Sequence, residues 1–172
     1  MKKFLLTLLT LTLMGTMLAP SIVNAKAAGK KQQTRWSIIE CPVGEPNPVT
    51  SYKTLKKAEK VAGFSFHIPA IKNYRRTEIK LLDKEVFEIT YKNKKKNGIT
   101  FRKARGKEDV SCDYSEYTAI KKQKIKNKTV RFAMKKKKVL NATWYDKGYS
   151  YAIVPYKTLR KKRVVSIIKK IN

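Results

Sequence analysis

The chain has 172 residues and a formal net charge of +29, which arises from 41 basic and 12 acidic side chains. Such a charge favours polyanions as partners and opposes compactness through self-repulsion. Only eight of the basic residues are Arg. Because Lys is a hydrated point charge whereas Arg binds phosphate bidentately, this balance indicates loose attraction rather than a shaped recognition site. The alternative is that a lysine-rich composition has simply filled solvated positions, and the single His argues against a metal site.

The first 25 residues have the three-part layout of a secretory signal peptide. Lys2 and Lys3 precede an apolar run over residues 4–18, and cleavage is expected after Ala25, with Ala27 as the second choice. An uncleaved anchor is disfavoured because the run is shorter than the ~20 residues of a spanning helix. No later stretch is apolar enough to span a bilayer, so we expect a secreted, extracellular protein that the cell wall can retain.

After signal removal, 147 residues with a formal charge of +27 suit one domain with a modest core. Residues 26–46 are predicted as a polar leader and an irregular linker, in which Trp36 to Ile39 can dock as an edge strand. Residues 47–172 are predicted as a single α+β domain. Two cysteines in an exported chain predict one disulfide, between Cys41 and Cys112. It would close a loop of about 70 residues and contribute at most roughly 4 kcal/mol.

The first half of the domain predicts a short helix followed by extended segments. Ser51 or Thr54 can cap a helix over residues 55–62, and Gly63 can end it. Alternating apolar residues predict a strand over 64–68. Further strands are predicted over residues 76–82, 85–92 and 99–104, with an Asn97-Gly98 turn before the last of them and a long loop over 105–114 after it.

The densest aromatic and β-branched patch is a predicted hairpin over residues 139–155, connected through Asp146-Lys147-Gly148. Strands over 117–125 and 129–134 precede it, and a basic amphipathic helix is predicted from about 158 to 171. The predicted fold is α+β. It consists of an antiparallel β-meander sheet with a short N-terminal helix and a C-terminal amphipathic helix packed on one face, while the other face stays wet.

Five motifs in fixed order resemble a known family. They read NPVTSYKTLKKAEKVAGFSFHIP, FEITYKN, NGITFRKARG, SCDYSEY and NATWYDKGYSYAI, and an amphipathic helix follows them. Residues 47–172 thereby resemble the domain-of-unknown-function 4367 family of exported Gram-positive proteins. The resemblance implies an extracytoplasmic domain and supplies no catalytic residues. At Cys112 the family would have a small residue such as Gly, so the disulfide would be particular to this chain or to a few relatives.

Candidates for catalysis are few, and we predict that the protein is not an enzyme and uses no metal or cofactor. His67 is the only His and lies in a predicted strand, where a structural or surface role is expected. Asp113 and Glu116 could form an acid–base pair on a sugar. Capping of the loop and neutralisation of nearby lysines is the favoured role for them. The sequence contains no nucleophile motif and no glycine-rich phosphate loop.

Lysines at the predicted turns are the candidate binding residues. In a simple meander, the turns at 94–97 and 126–128 would lie at one end of the sheet with Lys147 and form a cationic rim. The predicted partners are anionic surface polymers of the cell wall, such as teichoic acids, bound by a collective field. The predicted polyanion-binding residues are Lys94, Lys95, Lys96, Lys126, Lys128, Lys135, Lys136 and Lys137.

Two other functions fit the sequence. The same field would bind nucleic acid non-specifically, and Tyr145, Tyr149 and Tyr151 could stack on bases. A protein-interaction or regulatory domain would instead use the apolar hairpin face or the groove between the sheet and the terminal helix. Apolar contacts of that kind would persist at high salt, whereas electrostatic retention would not.

Overall fold

The computed structural model of the protein describes residues 48–171. The predicted signal peptide, leader and docking segment lie outside this part of the chain, as does Cys41, so the disulfide stays a prediction. Within residues 48–171, no helix has the length and hydropathy that a membrane span requires.

The first helix, α1 (Leu55–Ala62), has the predicted bounds. Thr54 is its N-cap and accepts a hydrogen bond from the Lys57 backbone N–H at 3.4 Å. Gly63 ends the helix in the left-handed region, at a φ of 71°, and donates its N–H to the Glu59 carbonyl. A residue with a Cβ would be strained at this φ, so the Gly is required by the cap itself.

Residues 64–68 alternate as predicted, because Phe64, Phe66 and Ile68 are buried while the residues between them are exposed. The predicted strand is nevertheless wrong, since this segment has no place in the sheet. It crosses the face of the sheet instead and is held by side chains. The Phe66 ring meets Phe87 edge-on at 5.8 Å, and the Glu59 carboxylate accepts the Phe66 N–H at 3.2 Å. Alternation alone therefore identified the buried side but not the hydrogen-bonding partner.

An antiparallel sheet forms the rest of the domain. Its strands are β1 (Val49–Ser51), β2 (Arg75–Leu82), β3 (Val86–Lys92), β4 (Gly98–Arg105), β5 (Ala119–Ile125), β6 (Lys128–Lys135), β7 (Lys138–Asp146), β8 (Tyr149–Pro155) and β9 (Leu159–Arg160), and the second helix is α2 (Lys161–Ile168). The spatial order is β1-β2-β3-β4-β8-β7-β6-β5, and β9 pairs with the start of β7. The predicted hairpin is β7–β8, and it closes through a two-residue turn because Asp146 already pairs with Tyr149.

The sheet consists of two meanders that meet where β4 pairs with β8. A simple meander would place β5 beside β4. Instead, the loop over residues 106–118 carries the chain back across the sheet, and β5 starts where the Thr118 N–H bonds the Met134 carbonyl at 2.8 Å. As a result β5 runs in the same direction as β4. Each turn after β5 therefore lies at the end of the sheet opposite to the one that a simple meander predicts.

This exchange divides the turns between two ends of the sheet. The turns at 93–97 and 136–137 lie at one end, which we call the basic end. The turns at 83–85, 126–127 and 147–148 lie at the opposite end. The predicted rim, which placed the turn at 126–128 and Lys147 beside the turn at 94–97, is therefore wrong.

One face of the sheet carries the main core. Phe87, Phe101 and Phe132 are fully buried there, and α1 and α2 both add apolar side chains to the same cluster, among them Ala58 and Val164. The predicted packing of both helices on one face is confirmed. Burial of each large side chain contributes roughly 1.5–3 kcal/mol, so this face supplies most of the apolar stabilisation.

The other face is polar, but the loop over residues 106–118 covers part of it. Arg102 pairs with Glu88 at 2.7 Å and donates to the Ser111 carbonyl in the loop. Asn141 donates to the Asp113 carboxylate at 2.7 Å, and a small apolar cluster includes Val110 of the loop. The expectation of a wholly wet second face is thus wrong where the loop lies.

Cys112 lies in this loop, is half-buried and has a φ of 44°. Gly adopts positive φ more readily than any other residue. This conformation is a physical reason why other family members would have Gly at the position of Cys112.

Candidate functional site: a basic groove

A groove crosses the basic end of the domain between α2, the segment before β2 and the turn after β3. It consists of two neighbouring recesses of about 210 Å³ and about 540 Å³, and Asn73 contributes to both. The first recess is lined by Pro69, Ala70, Ile71, Lys72, Asn73, Arg163, Ser166, Ile167 and Lys170. The second is lined by Asn73, Tyr74, Arg75, Lys92, Asn93, Lys94 and Lys95. Cations line both recesses, and neither lining contains a carboxylate.

Local hydrogen bonds fix two of the three elements that line the groove, the segment before β2 and the turn after β3. On one side, Tyr74 donates its N–H to the Ile71 carbonyl at 3.0 Å, and Asn73 has a φ of 67°, a conformation that Asn tolerates better than most residues. On the other side, the Asn93 side chain accepts the Asn97 N–H at 3.0 Å. The lysines of this turn are therefore displayed from a defined backbone.

Glu78 is the carboxylate bonded to a cation of the groove. It binds Lys80 at 2.7 Å and Lys92 at 2.6 Å. The hydrogen bond from Lys80, followed by that from Lys92, lowers the pKa of Glu78, and the bond to Glu78 raises the pKa of Lys92. One carboxylate is thus shared by two ammonium groups, which leaves the groove with excess positive charge.

Arg163 and Tyr74 connect α2 to the segment before β2. The guanidinium carbon of Arg163 lies 5.4 Å from the centre of the Tyr74 ring, a cation–π geometry. Arg163 lines the first recess and Tyr74 lines the second, so this contact joins α2 to the segment before β2 at the boundary between the recesses.

Seven of the eight predicted lysines are exposed, and they separate into three groups. Lys94 and Lys95 line the groove, and Lys96 is exposed in the same turn. The residues Lys135, Lys136 and Lys137 are exposed at the basic end but lie outside the lining of the groove. Lys126 is exposed at the opposite end.

Lys128 does not belong to a cationic surface. It is only 8% exposed, its ammonium lies 3.4 Å from the Asp146 carboxylate, and it donates to the Ile171 carbonyl at 2.8 Å. Its charge is used to hold the chain after α2 against the sheet, so it is removed from the set of polyanion-binding residues.

The set of predicted polyanion-binding residues left out those from the other sides of the groove, namely Lys72, Tyr74, Arg75, Arg163 and Lys170. The polar face of the terminal amphipathic helix was a usable signal, because it is rich in Lys and Arg. The packing of residues 69–73 beside that helix had no local signal, since it depends on where the segment after residue 68 leaves the sheet.

The tyrosines proposed for base stacking are mostly used in packing. Tyr151 is 5% exposed and stacks on Trp144 with ring centres 5.1 Å apart. The pKa of Tyr151 is raised to about 12, mainly because its hydroxyl is buried. The Tyr149 ring is covered by the Lys103 ammonium at 4.1 Å. Of the three, only Tyr145 is exposed, at 37%. His67 is exposed on the segment that crosses the sheet.

Fold and groove together define a basic α+β domain with a cationic recess at one end of its sheet. The family model described as Domain of unknown function (DUF4367) matches residues 67–171, and the chain belongs to this family. No curated protein and no solved structure matches the chain. The matched residues include nearly all of the sheet, α2 and both walls of the groove, so the groove lies within the family domain.

Proposed function

We propose that this domain is a secreted, non-catalytic binding module for anionic polymers of the cell wall, with teichoic-acid-like phosphates as the expected ligands. The observation that carries the proposal is the groove, which is lined by seven cationic side chains, Lys72, Arg75, Lys92, Lys94, Lys95, Arg163 and Lys170, and by no carboxylate. A polymer can engage several of these cations at once. This matters because a single exposed pair in water is worth only about 1 kcal/mol at 4 Å.

Backbone conformation gives further support to a role for charge. Nine non-Gly residues between 48 and 171 have positive φ, and six of them are lysines, at positions 84, 96, 126, 136, 137 and 147. Asn or Gly would be less strained in such turns, so local structure does not explain the lysines. Their placement adds a general positive field to the more focused charge of the groove.

The test compares two variants that remove the same charge from different places. The groove variant replaces Lys72, Lys94, Lys95 and Lys170 by Gln, and the control variant replaces Lys121, Lys122, Lys124 and Lys126. All eight lysines are exposed. Retention of the mature protein on purified wall fragments is measured from low salt to about 0.5 M, where the Debye length falls to a few Å.

We expect wild type and control to be retained at low salt and released as salt rises, and the groove variant to be released at much lower salt. Equal weakening of both variants would place the affinity in the overall field and not in the groove. Retention that is insensitive to salt in all three proteins would refute the proposal.

Non-specific nucleic-acid binding would use the same cations. Competition with duplex DNA distinguishes the two ligands. If the groove has no preference, DNA should displace the protein from wall fragments in proportion to its phosphate concentration, whereas a groove that prefers the wall polymer should require more DNA phosphate.

The apolar hairpin offers less to a protein partner than the sequence suggested, since Trp144, Tyr151 and Ile153 are buried against the core.

A further inference from the structure

The geometry points to a narrower ligand class for the groove: a phosphodiester polymer whose charges are separated by a neutral, hydroxyl-bearing unit, such as a polyol or a sugar. The two recesses would take two successive phosphates, and Asn73 between them would contact the spacer. This inference rests on the proposed function and identifies the chemistry that the same site selects.

The first argument is the layout of charged and neutral groups. Lys72, Arg163 and Lys170 line one recess, and Arg75, Lys94 and Lys95 line the other. The residue common to both recesses is Asn73, an amide with donors and an acceptor but no charge. A chain of directly linked phosphates would place a charge against this amide. A polyol phosphate would place a hydroxyl group there.

The second argument is the distribution of arginine. Among residues 48–171, three of the arginines are bonded to protein groups: Arg102 to Glu88, Arg105 to the Gly63 carbonyl and Arg131 to Asp109. The other four, Arg75, Arg76, Arg160 and Arg163, are all exposed and all lie at the basic end or on the adjoining turn of α2. Arg forms paired hydrogen bonds to phosphate oxygens that Lys cannot form. Among residues 48–171, the arginines without a hydrogen bond or ion pair to a protein group thus lie at the basic end, and two of them, Arg75 and Arg163, line the groove.

The third argument is that Arg163 is already oriented. Its guanidinium packs on Tyr74 at 5.4 Å, which reduces the side-chain freedom that would otherwise be lost on binding. The first turn of α2 contains Lys161, Lys162 and Arg163 and no acidic residue. Cations at this end of a helix oppose the helix dipole, so the stability of the helix does not explain Arg163 at this position.

The experiment uses two polymers at equal concentration of negative charge in about 0.1 M salt: poly(glycerol phosphate) and inorganic polyphosphate. Binding governed by charge density alone predicts that polyphosphate binds more tightly. We expect poly(glycerol phosphate) to bind the wild-type mature protein at least as tightly as polyphosphate, as measured by titration calorimetry.

Two variants locate the effect. Asn73→Gly keeps the left-handed backbone and every charge, and it should weaken binding of poly(glycerol phosphate) about three- to tenfold while leaving polyphosphate binding unchanged. Asn127→Gly is the control, because it makes the same side-chain change in the exposed turn at the opposite end, and it should change neither. Arg163→Lys keeps the charge and should weaken both polymers, because the paired hydrogen bonds are lost.

Tighter binding of polyphosphate by the wild type, or equal effects of Asn73→Gly and Asn127→Gly, would overturn this inference. Failure of the proposed function is distinguishable, since in that case the four-lysine groove variant would still bind both polymers like the control. If the groove variant loses both polymers while Asn73→Gly loses neither, the groove binds polyanions without this selectivity.

Discussion

The two ends of the sheet differ in that some lysines of the opposite end are packed into the fold, whereas the lysines of the turn after β3 are all exposed. At the opposite end, Lys128 is buried against Asp146. The Lys103 ammonium is packed among the rings of Phe64, Tyr149 and Tyr151. The pKa of Lys103 is lowered, mainly because its ammonium is buried. At the basic end, Lys94, Lys95 and Lys96 extend from a turn into solvent.

The acidic residues add to this asymmetry. Asp83, Glu85 and Asp146 lie at or beside the turns of the opposite end, whereas the groove has no carboxylate in its lining. Net charge therefore says little about where a polyanion would bind. Topology decides which lysines stabilise the fold and which remain available to a ligand.

The largest expected effect concerns the predicted disulfide, which would bond Cys41 to Cys112 in the loop between β4 and β5. If Cys41 and Cys112 are bonded, reduction of the mature protein should lower its free energy of unfolding by up to about 4 kcal/mol. The measurement is urea unfolding with and without reductant. Cys41→Ser is the control, because reductant should no longer change its midpoint. An intact mass that shows two free thiols in protein purified without reductant would refute the predicted disulfide and its stabilising role.

The next effect tests the structural role of a lysine at the opposite end. Lys128→Ala leaves Asp146 and the Ile171 carbonyl without their partner, and it should cost about 2–3 kcal/mol in the free energy of unfolding. Lys94→Ala at the basic end should change it by less than about 0.5 kcal/mol. Both are read from chemical denaturation. Similar losses for the two variants would contradict the contrast between the ends.

The smallest effect is a pH dependence at Glu78. Its pKa is lowered from 4.5 by Lys80 and Lys92, so its stabilising contribution is present above about pH 4.5 and is lost as the pH falls through the lower folded-state value. Glu78→Gln should remove at most about 1 kcal/mol at neutral pH, because the pair is partly solvated. Unfolding of wild type and variant is compared between about pH 2 and 7, where the difference should vanish at the acid limit. The same variant should bind poly(glycerol phosphate) slightly more tightly, since one neutralising carboxylate is gone.

Much of the fold could be predicted from local pattern. The helix over 55–62, its Gly63 cap and the β7–β8 hairpin depend on neighbours in sequence, and each has the predicted type and nearly the predicted bounds. The strand over 64–68 was wrong because alternation reports which side of an extended segment is buried and says nothing of its hydrogen-bonding partner. The shorter terminal helix, Lys161–Ile168 instead of 158–171, reflects residues 159–160 pairing with β7.

The site was predicted only in part. Lys94 to Lys96 were found because charge runs at a turn are visible in sequence. Arg163 and Lys72 were left out of the predicted site because they meet only after α2 and the segment before β2 have packed. Lys128 was misassigned because its sequence context is that of any other lysine at a turn, while its burial depends on Asp146 and Ile171, which are distant in sequence.

The sequence by itself determined the excess of positive charge, the elements with strong periodicity and the membership of an α+β family. The tertiary structure alone decided that the chain crosses the sheet between β4 and β5, and this crossing sends the lysine-bearing turns to different ends. The physical reason is that periodicity and turn chemistry are local. The direction of a strand and the exposure of a cation are set by pairing between residues that are far apart in the chain.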